Sequence, residues 1–181
     1  TSVMLARRLM DRHGFRKPVW MTEIGAAVRR AGRGGRPFTS QDVADFVPKA
    51  LATALALGVE RVFWYQGYHD GASGRTLADP GHSLITGEGP TPAADVFART
   101  VRMLDGCRYA GPMSAVLLGG RSVAHLFAGP QRRVLIAWAE APDGLPNSPA
   151  RADVVLRWGG RMRRLALTQV PAVWVEESDD G

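Results

Sequence analysis

The hydrophobic pattern of this chain changes its period near Gly111, and that change limits the folds the chain can adopt. Before it, helical and strand patterns alternate: helices are predicted at 2–13, 39–58 and 92–106, and strands at 18–22 and 59–65. After it come only strand patterns, at 115–118, 122–128, 133–139, 153–158, 161–167 and 172–175. The sequence therefore predicts a parallel α/β segment followed by an antiparallel β segment, with a boundary near residues 108–112.

Local signals refine this outline. Thr39 and Asp42 form a capping-box pattern at the start of the second helix, and Pro48 predicts a kink or a break inside it. The pairs Gly119-Gly120 and Gly159-Gly160 predict two-residue hairpin turns. Residues 66–90 are predicted to form a long loop, and loops of that length are usually functional or disordered. Three tryptophans of the β segment are predicted to fill its core: Trp138, Trp158 and Trp174.

Composition and charge exclude several classes of function. The net charge is +6, but 21 of the 23 basic residues are Arg, and they are scattered apart from Arg161, Arg163 and Arg164. A nucleic-acid surface would cluster these charges or alternate them with aromatic residues, so nucleic-acid binding is not predicted. Cys107 is the single cysteine and the four histidines lack ligand spacing, so neither a metal site nor a cofactor is predicted. No apolar run is long enough to predict a membrane span.

Glu23 is the carboxylate that the predicted parallel segment places best. It follows the apolar run Pro18–Thr22, predicted as a strand buried on both faces, and Gly25 ends that strand. In a barrel of parallel strands, the loops at the C-terminal ends of the strands line the active site. Two parallel strands bury too little to be stable alone, so we expect residues 1–108 to be the last quarter to third of a TIM (β/α)8 barrel. Residues 112–178 are predicted to be a small antiparallel β-sandwich domain.

Three stretches of the sequence match one family in order. Lys17-Pro-Val-Trp-Met-Thr-Glu-Ile-Gly25 resembles the seventh strand of retaining (β/α)8 glycosidases, the clan A glycoside hydrolases, and Val62-Phe-Trp-Tyr65 resembles their eighth strand. The stretch from His82 to Ala94 is similar to the segment that leads into their eighth helix. The β segment resembles the small sandwich that often follows such barrels.

This resemblance implies a function and a set of site residues. Glu23 matches the catalytic nucleophile and Trp64 the aromatic platform for the sugar, while Tyr68, His69 and Asp70 follow Trp64 and are predicted to bind hydroxyl groups. The intact enzyme would hydrolyse β-glycosidic bonds of a carbohydrate with retention of configuration, which needs a second carboxyl group about 5–5.5 Å from the nucleophile.

The second carboxyl group is the point at which this chain departs from the family. The acid/base Glu of the clan follows an Asn, and no Asn-Glu pair occurs, because Asn147 in the β segment is the single Asn. Glu60 begins a strand, at the opposite rim, and Glu88 lies in a loop, so neither is a credible acid. We therefore expect the chain to be a piece of a longer enzyme, preceded by further strands, and to be inactive alone.

Other interpretations stay open at this point. Trp64 is equally compatible with core packing, and His69 with Asp70 is equally compatible with a solvated pair in a loop. A non-catalytic carbohydrate-binding or structural module is the alternative to a fragment of an enzyme, and the β segment is a further candidate for sugar binding.

Overall fold

A computed structural model describes residues 2–28, 38–69, 80–113, 115–142, 149–158 and 161–177. Within these ranges the chain forms helices α1 (Ser2–Arg12), α2 (Ser40–Ala56) and α3 (Pro92–Leu104). The strands of the first half are β1 (Trp20–Ile24), β2 (Arg61–Trp64), β3 (Tyr68–His69), β4 (Ile85–Thr86) and β5 (Gly89–Pro90). The strands of the second half are β6 (Arg108–Pro112), β7 (Ala115–Gly119), β8 (Arg121–Ala128), β9 (Arg132–Glu140), β10 (Arg151–Trp158), β11 (Arg161–Thr168) and β12 (Ala172–Glu177). The predicted mixture of α/β and antiparallel β structure is confirmed at this level.

The first two strands form a parallel pair covered by helices on one face. Trp20 pairs with Arg61 and Met21 with Val62, and after an irregularity Ile24 pairs with Trp64. The covered face packs Met21 and Val62 against α1 and α2, in a cluster that includes Val3, Ala54 and Val59. The opposite face is open, because Trp20 is 50% and Phe63 47% exposed. The prediction that this strand is buried on both faces is therefore wrong for this chain.

Helix α2 begins as the capping box predicts. The Thr39 hydroxyl accepts a hydrogen bond from the Asp42 backbone N–H, and the Asp42 carboxylate accepts one from the Thr39 backbone N–H at 2.8 Å. The helix is continuous through Pro48, so the predicted break does not occur. Most of its surface is buried, since it packs against α3 on one side and against strands of the second half on another.

The described part of the predicted loop 66–90 contains a small sheet. Tyr68 pairs with Ile85 in a parallel ladder, and Ile85 pairs with Pro90 in an antiparallel one. This sheet brings the segment after β2 back beside the segment before α3. The prediction of a long loop is therefore wrong for these residues. The parallel ladder joins Tyr68 to Ile85, which lies 17 positions later in the chain.

The second half forms two antiparallel sheets, with strand orders β11–β10–β7 and β12–β9–β8–β6. They share a core in which Leu135 and Ala137 of β9 pack with Val154 and Leu156 of β10. Strand β9 is buried on both faces, because Val134, Ile136 and Trp138 belong to a second cluster with helix residues and Phe127. Trp174 packs against the first cluster and Trp138 belongs to the second, as predicted for core tryptophans, while the side chain of Trp158 lies outside the description.

The predicted hairpin at Gly119-Gly120 is wrong, because the chain changes sheets there. Strand β7 pairs with β10, whereas β8 pairs with β9 and β6. Gly120 has φ +78°, and a Cβ at this position would lie 2.2 Å from the carbonyl oxygen of Arg151. Glycine is needed for this left-handed, closely packed crossing rather than for a tight turn. Gly159 and Gly160 lie outside the described residues, and Trp158 and Arg161 on either side of them pair with each other.

The predicted boundary coincides with a strand. Residues 108–112 form β6, which pairs with β8 at the edge of the four-stranded sheet. Ala52 and Leu104 of the helices belong to the same core cluster as Phe127 and Ile136 of that sheet. The α/β segment and the β segment therefore pack on each other through a continuous apolar cluster.

Candidate functional site at the end of the parallel strands

Glu23 is an exposed side chain near the C-terminal end of β1. The next residue, Ile24, accepts a hydrogen bond through its carbonyl oxygen from the Tyr65 N–H at 2.8 Å, which closes the ladder between the two strands. Because β1 and β2 are parallel, Glu23 and the segment that follows Trp64 lie at the same end of the sheet. Glu60 lies at the other end, where its N–H donates to the carbonyl oxygen of Val19.

Gly25 allows the chain after Glu23 to approach the end of β2 closely. A Cβ at this position would lie 2.2 Å from the carbonyl oxygen of Tyr65 and 3.7 Å from Cδ2 of His82. Three residues further on, the Val28 N–H donates to the carbonyl oxygen of Gly81 at 3.1 Å. The segment after Glu23 is thus packed between the end of β2 and the segment that precedes β4.

A second set of hydrogen bonds ties residues 66–67 to residues 82–85. The Gln66 N–H donates to the carbonyl oxygen of His82 at 3.1 Å, and the Leu84 N–H donates to that of Gln66 at 2.9 Å. The Gln66 side-chain amide also donates to the hydroxyl of Ser83, a residue that is 3% exposed. We call residues 80–86 the brace, because they hold the segment after β2 in place against Gly25.

Trp64 is half-buried and packs between helices. Its ring centroid lies 6.2 Å from that of Phe46 and 6.1 Å from that of Phe97, in the cluster formed by α2 and α3. Its indole N–H donates to the carbonyl oxygen of His82 at 3.3 Å. These contacts give Trp64 a packing function and tie it to the brace, while its function as a sugar platform stays a prediction.

The other predicted binding residues occupy the small sheet. Tyr68 is 60% exposed and His69 is half-buried, and their side chains leave the strand on opposite sides because they are consecutive. Asp70 lies outside the described residues. The structure thus brings Glu23 to the same end of the sheet as the segment that carries Tyr68 and His69, and it points Trp64 towards the helices.

The brace contributes two contacts that sequence reasoning did not find. The His82 ring packs edge-on against Tyr65, with centroids 5.7 Å apart, and Ser83 accepts the bond from Gln66. The His82 Nδ1 atom is buried and has no hydrogen-bond partner among the described residues. No local motif indicates these contacts, because they join positions separated by 17 residues that only the fold brings together.

A cavity of about 430 Å³ lies beneath the helix-covered face of β1, where Met21 and Ile24 form part of its wall. Helix α2 contributes Lys49, whose pKa is lowered by burial in spite of the opposing influence of Asp45 and Asp42. Glu23 is not among the lining residues, so the candidate site is an open rim rather than this cavity.

Two further observations on the described ranges concern metal sites and membrane-spanning helices. Within them, no group of three or more His, Cys, Asp or Glu side chains is placed to hold a metal ion. In the same ranges, no helix has the length and apolarity needed to cross a membrane.

Comparison with known proteins shows a similarity of structure but not of sequence family. No protein-family model matches the sequence, and no curated protein matches it. Among solved structures, the fold is similar to that of a family 39 glycoside hydrolase from the gut symbiont Bacteroides cellulosilyticus WH2, with a TM-score of 0.63 and 14% sequence identity. The match covers 91% of this chain and 34% of that chain. The chain therefore has a fold similar to that of about a third of a glycoside hydrolase. The similarity predicted from the sequence is confirmed for the fold alone.

Proposed function

We propose that this chain is the C-terminal portion of a retaining glycosidase, with β1 and β2 as the last two strands of a (β/α)8 barrel and the two antiparallel sheets as a β-sandwich. The intact enzyme would cleave O-glycosidic bonds, and Glu23 would be its nucleophile. The observation that carries this proposal is the position of Glu23. It is exposed at the shared C-terminal end of a parallel strand pair, in a fold similar to that of a glycoside hydrolase.

The open face of the parallel pair supports the proposal. Trp20 and Phe63 leave large apolar surfaces in contact with water, and burying such side chains usually stabilises a protein by about 1.5–3 kcal/mol each. Helix α1 also exposes Leu5 and Leu9, at 60% and 48%. Further parallel strands with their helices would cover these surfaces, which is what the remaining two thirds of a barrel enzyme would supply.

Glu23 at the rim can serve as the nucleophile, whereas Glu60 is not placed to serve as the acid/base carboxyl group of a catalytic pair. A carboxylate at a strand end is held rigidly enough to attack an anomeric carbon, forming a glycosyl ester as the leaving group departs. Departure of an ordinary sugar alcohol requires a proton from the second carboxyl group, for which Glu60 is at the wrong end of the sheet. We therefore propose that the chain alone does not turn over glycosides.

The test uses the intact protein and a 2-fluoro glycoside with a dinitrophenolate leaving group, which departs without protonation. We expect a covalent label on the peptide that contains Glu23, found by mass spectrometry, and no label in the Glu23→Gln variant. Glu60→Gln is the matched control and should label as the wild type does. A label on a peptide without Glu23 would refute the assignment.

The exposed aromatic face supports a second candidate, a non-catalytic carbohydrate-binding module. The rings of Trp20 and Phe63 lie 6.4 Å apart, and the Arg61 guanidinium lies 4.8 Å from the Trp20 ring. Aromatic faces of this kind stack on sugars, and the arginine could donate to hydroxyl groups. If this candidate is correct, neutral oligosaccharides will change the tryptophan fluorescence of the chain alone, and Trp20→Ala will abolish the change. Under the leading proposal this face is covered in the intact enzyme, and Trp20→Ala will leave sugar binding by the chain unaltered.

A further inference from the structure

The brace contacts both of the segments that meet at the rim. On one side, the carbonyl oxygen of Gly81 accepts a hydrogen bond from the Val28 N–H at 3.1 Å, in the segment that follows Glu23. On the other side, the carbonyl oxygen of His82 accepts a hydrogen bond from the Gln66 N–H at 3.1 Å. The brace is therefore a bridge between the segment that follows Glu23 and the segment that follows β2.

The His82 ring lies between these two segments. Its centroid is 5.7 Å from that of Tyr65 at an interplanar angle of 68°, which is the edge-to-face arrangement that aromatic rings favour. Its Cδ2 atom would lie 3.7 Å from a Cβ added at Gly25, two residues after Glu23. Removal of the ring would leave a space between the end of β2 and the chain after Glu23. The surrounding structure relaxes partly into such a space.

The brace is itself fixed to the helices. Thr91, the N-cap residue of α3, donates to the carbonyl oxygen of Leu84 from its backbone N–H at 2.8 Å and from its hydroxyl at 2.9 Å. The Leu84 side chain packs against the cluster that α2 and α3 form. Ser83 is buried and accepts the bond from the Gln66 side-chain amide at 3.0 Å. Because the brace is anchored in this way, it can hold the two segments at a fixed separation.

We propose that His82 is a positioning residue, whose ring fixes the distance between Glu23 and the segment that follows β2. Its effect on catalysis rests on the proposed glycosidase function, in which that segment binds the sugar and Glu23 attacks it. Reacting atoms must be held about 3–3.5 Å apart, and a displacement of about 1 Å can slow an enzyme about a hundredfold. Loss of the ring should therefore slow the attack by Glu23 more than it weakens sugar binding.

The first test needs no sugar and measures amide hydrogen exchange in the 181-residue chain by NMR. We expect His82→Ala to speed the exchange of the Val28 and Gln66 amides at least about tenfold, because both donate to carbonyl oxygens of the brace. His82→Phe keeps a ring against Tyr65 and should bring both rates most of the way back to those of the wild type. Faster exchange in only one of the two segments, or in neither, would refute the link.

His125→Ala is the matched control, because the His125 ring has nearly the same surroundings in the four-stranded sheet. Its centroid is 5.7 Å from that of Tyr109, and its Nδ1 atom, like that of His82, is buried without a hydrogen-bond partner among the described residues. This variant removes a comparable ring but no contact of the brace, so the Val28 and Gln66 amides should exchange as in the wild type. Circular dichroism checks that each variant is folded. Equal effects of His82→Ala and His125→Ala would show a general loss of stability and would overturn the proposal.

The second test measures the rate at which the 2-fluoro glycoside with a dinitrophenolate leaving group labels the intact protein. At saturating reagent, His82→Ala should label Glu23 at least about tenfold more slowly, while the half-saturating concentration changes less than about threefold. His82→Phe should recover most of the rate, and His125→Ala should label as the wild type does. A larger change in the half-saturating concentration than in the rate would refute a positioning function.

The two tests separate this proposal from the glycosidase proposal. If the wild type is not labelled at Glu23 but the exchange results are as expected, the glycosidase proposal alone is refuted. If Glu23 is labelled at the same rate in the wild type and in His82→Ala, only the positioning function of His82 is refuted.

Discussion

Replacing Gly25 with alanine tests whether close packing at the rim determines the local structure. The added Cβ would lie 2.2 Å from the carbonyl oxygen of Tyr65 and 3.3 Å from its carbonyl carbon, both of which are backbone atoms that cannot rotate away. An ordinary contact requires the two chain segments to separate by about 1 Å, and overpacking of that kind costs about 1–3 kcal/mol. The hydrogen bond from the Tyr65 N–H to Ile24 at 2.8 Å is adjacent, and weakening it costs about 1 kcal/mol more.

We therefore expect Gly25→Ala to lower the free energy of unfolding by about 2–4 kcal/mol. The measurement is urea unfolding of the 181-residue chain, with linear extrapolation to water. Gly67→Ala is the matched control, because Gly67 lies in the same rim and a Cβ added there would meet no atom within 4 Å, so its effect should be below about 0.5 kcal/mol. If the two variants unfold at the same urea concentration, the steric explanation for Gly25 is wrong.

Three further predictions concern packing, capping and pH. Burial lowers the pKa of His125 in the folded chain. As the pH falls, His125 is therefore protonated in the unfolded chain at a higher pH than in the folded chain. The free energy of unfolding should then decrease below about pH 6.5 until the folded-state pKa is passed. His125→Phe should flatten this dependence in unfolding curves recorded from about pH 8 to about pH 5, and an unchanged slope would contradict it. Thr39→Ala should cost about 1 kcal/mol through the lost capping box, against less than about 0.5 kcal/mol for its exposed neighbour in Ser40→Ala. Trp64→Phe should cost about 1–3 kcal/mol by removing the hydrogen bond to His82 and part of the packing, while Trp20→Phe on the open face should cost clearly less, and equal costs would argue against a packing function for Trp64.

The sequence predicted those features that are decided by nearby residues. The capping box at Thr39 needs only Asp42, three positions away, and the amphipathic spacing of α1 needs only its own residues. The strands of the second half were predicted from alternating and apolar runs, which directly determine which side of a strand is buried. The position of Glu23 near the end of a strand was predicted in the same way, because a carboxylate after a short apolar run is a local pattern, while its catalytic function stays a prediction.

Features decided by distant residues were not predicted. The Gly119-Gly120 pair has the composition of a hairpin turn, but the strand that β7 pairs with is β10, more than thirty residues later. The ladder between Tyr68 and Ile85 and the brace at Ser83 likewise depend on the two ends of a long segment meeting. At the candidate site, sequence patterns thus predicted where Glu23 lies but not the residues that hold the rim in place.

Strand β9 has a practical consequence for anyone who cuts this chain. Every residue from 134 to 139 is buried, with alternate side chains directed to the three-stranded sheet and to the cluster that includes Ala52 and Leu104. A truncation at residues 108–112 would expose Ile136 and Trp138 to water and remove the apolar surface against which α2 rests. Expression trials should therefore keep the helices and both antiparallel sheets of the described ranges together, since neither half keeps the shared apolar cluster after the cut.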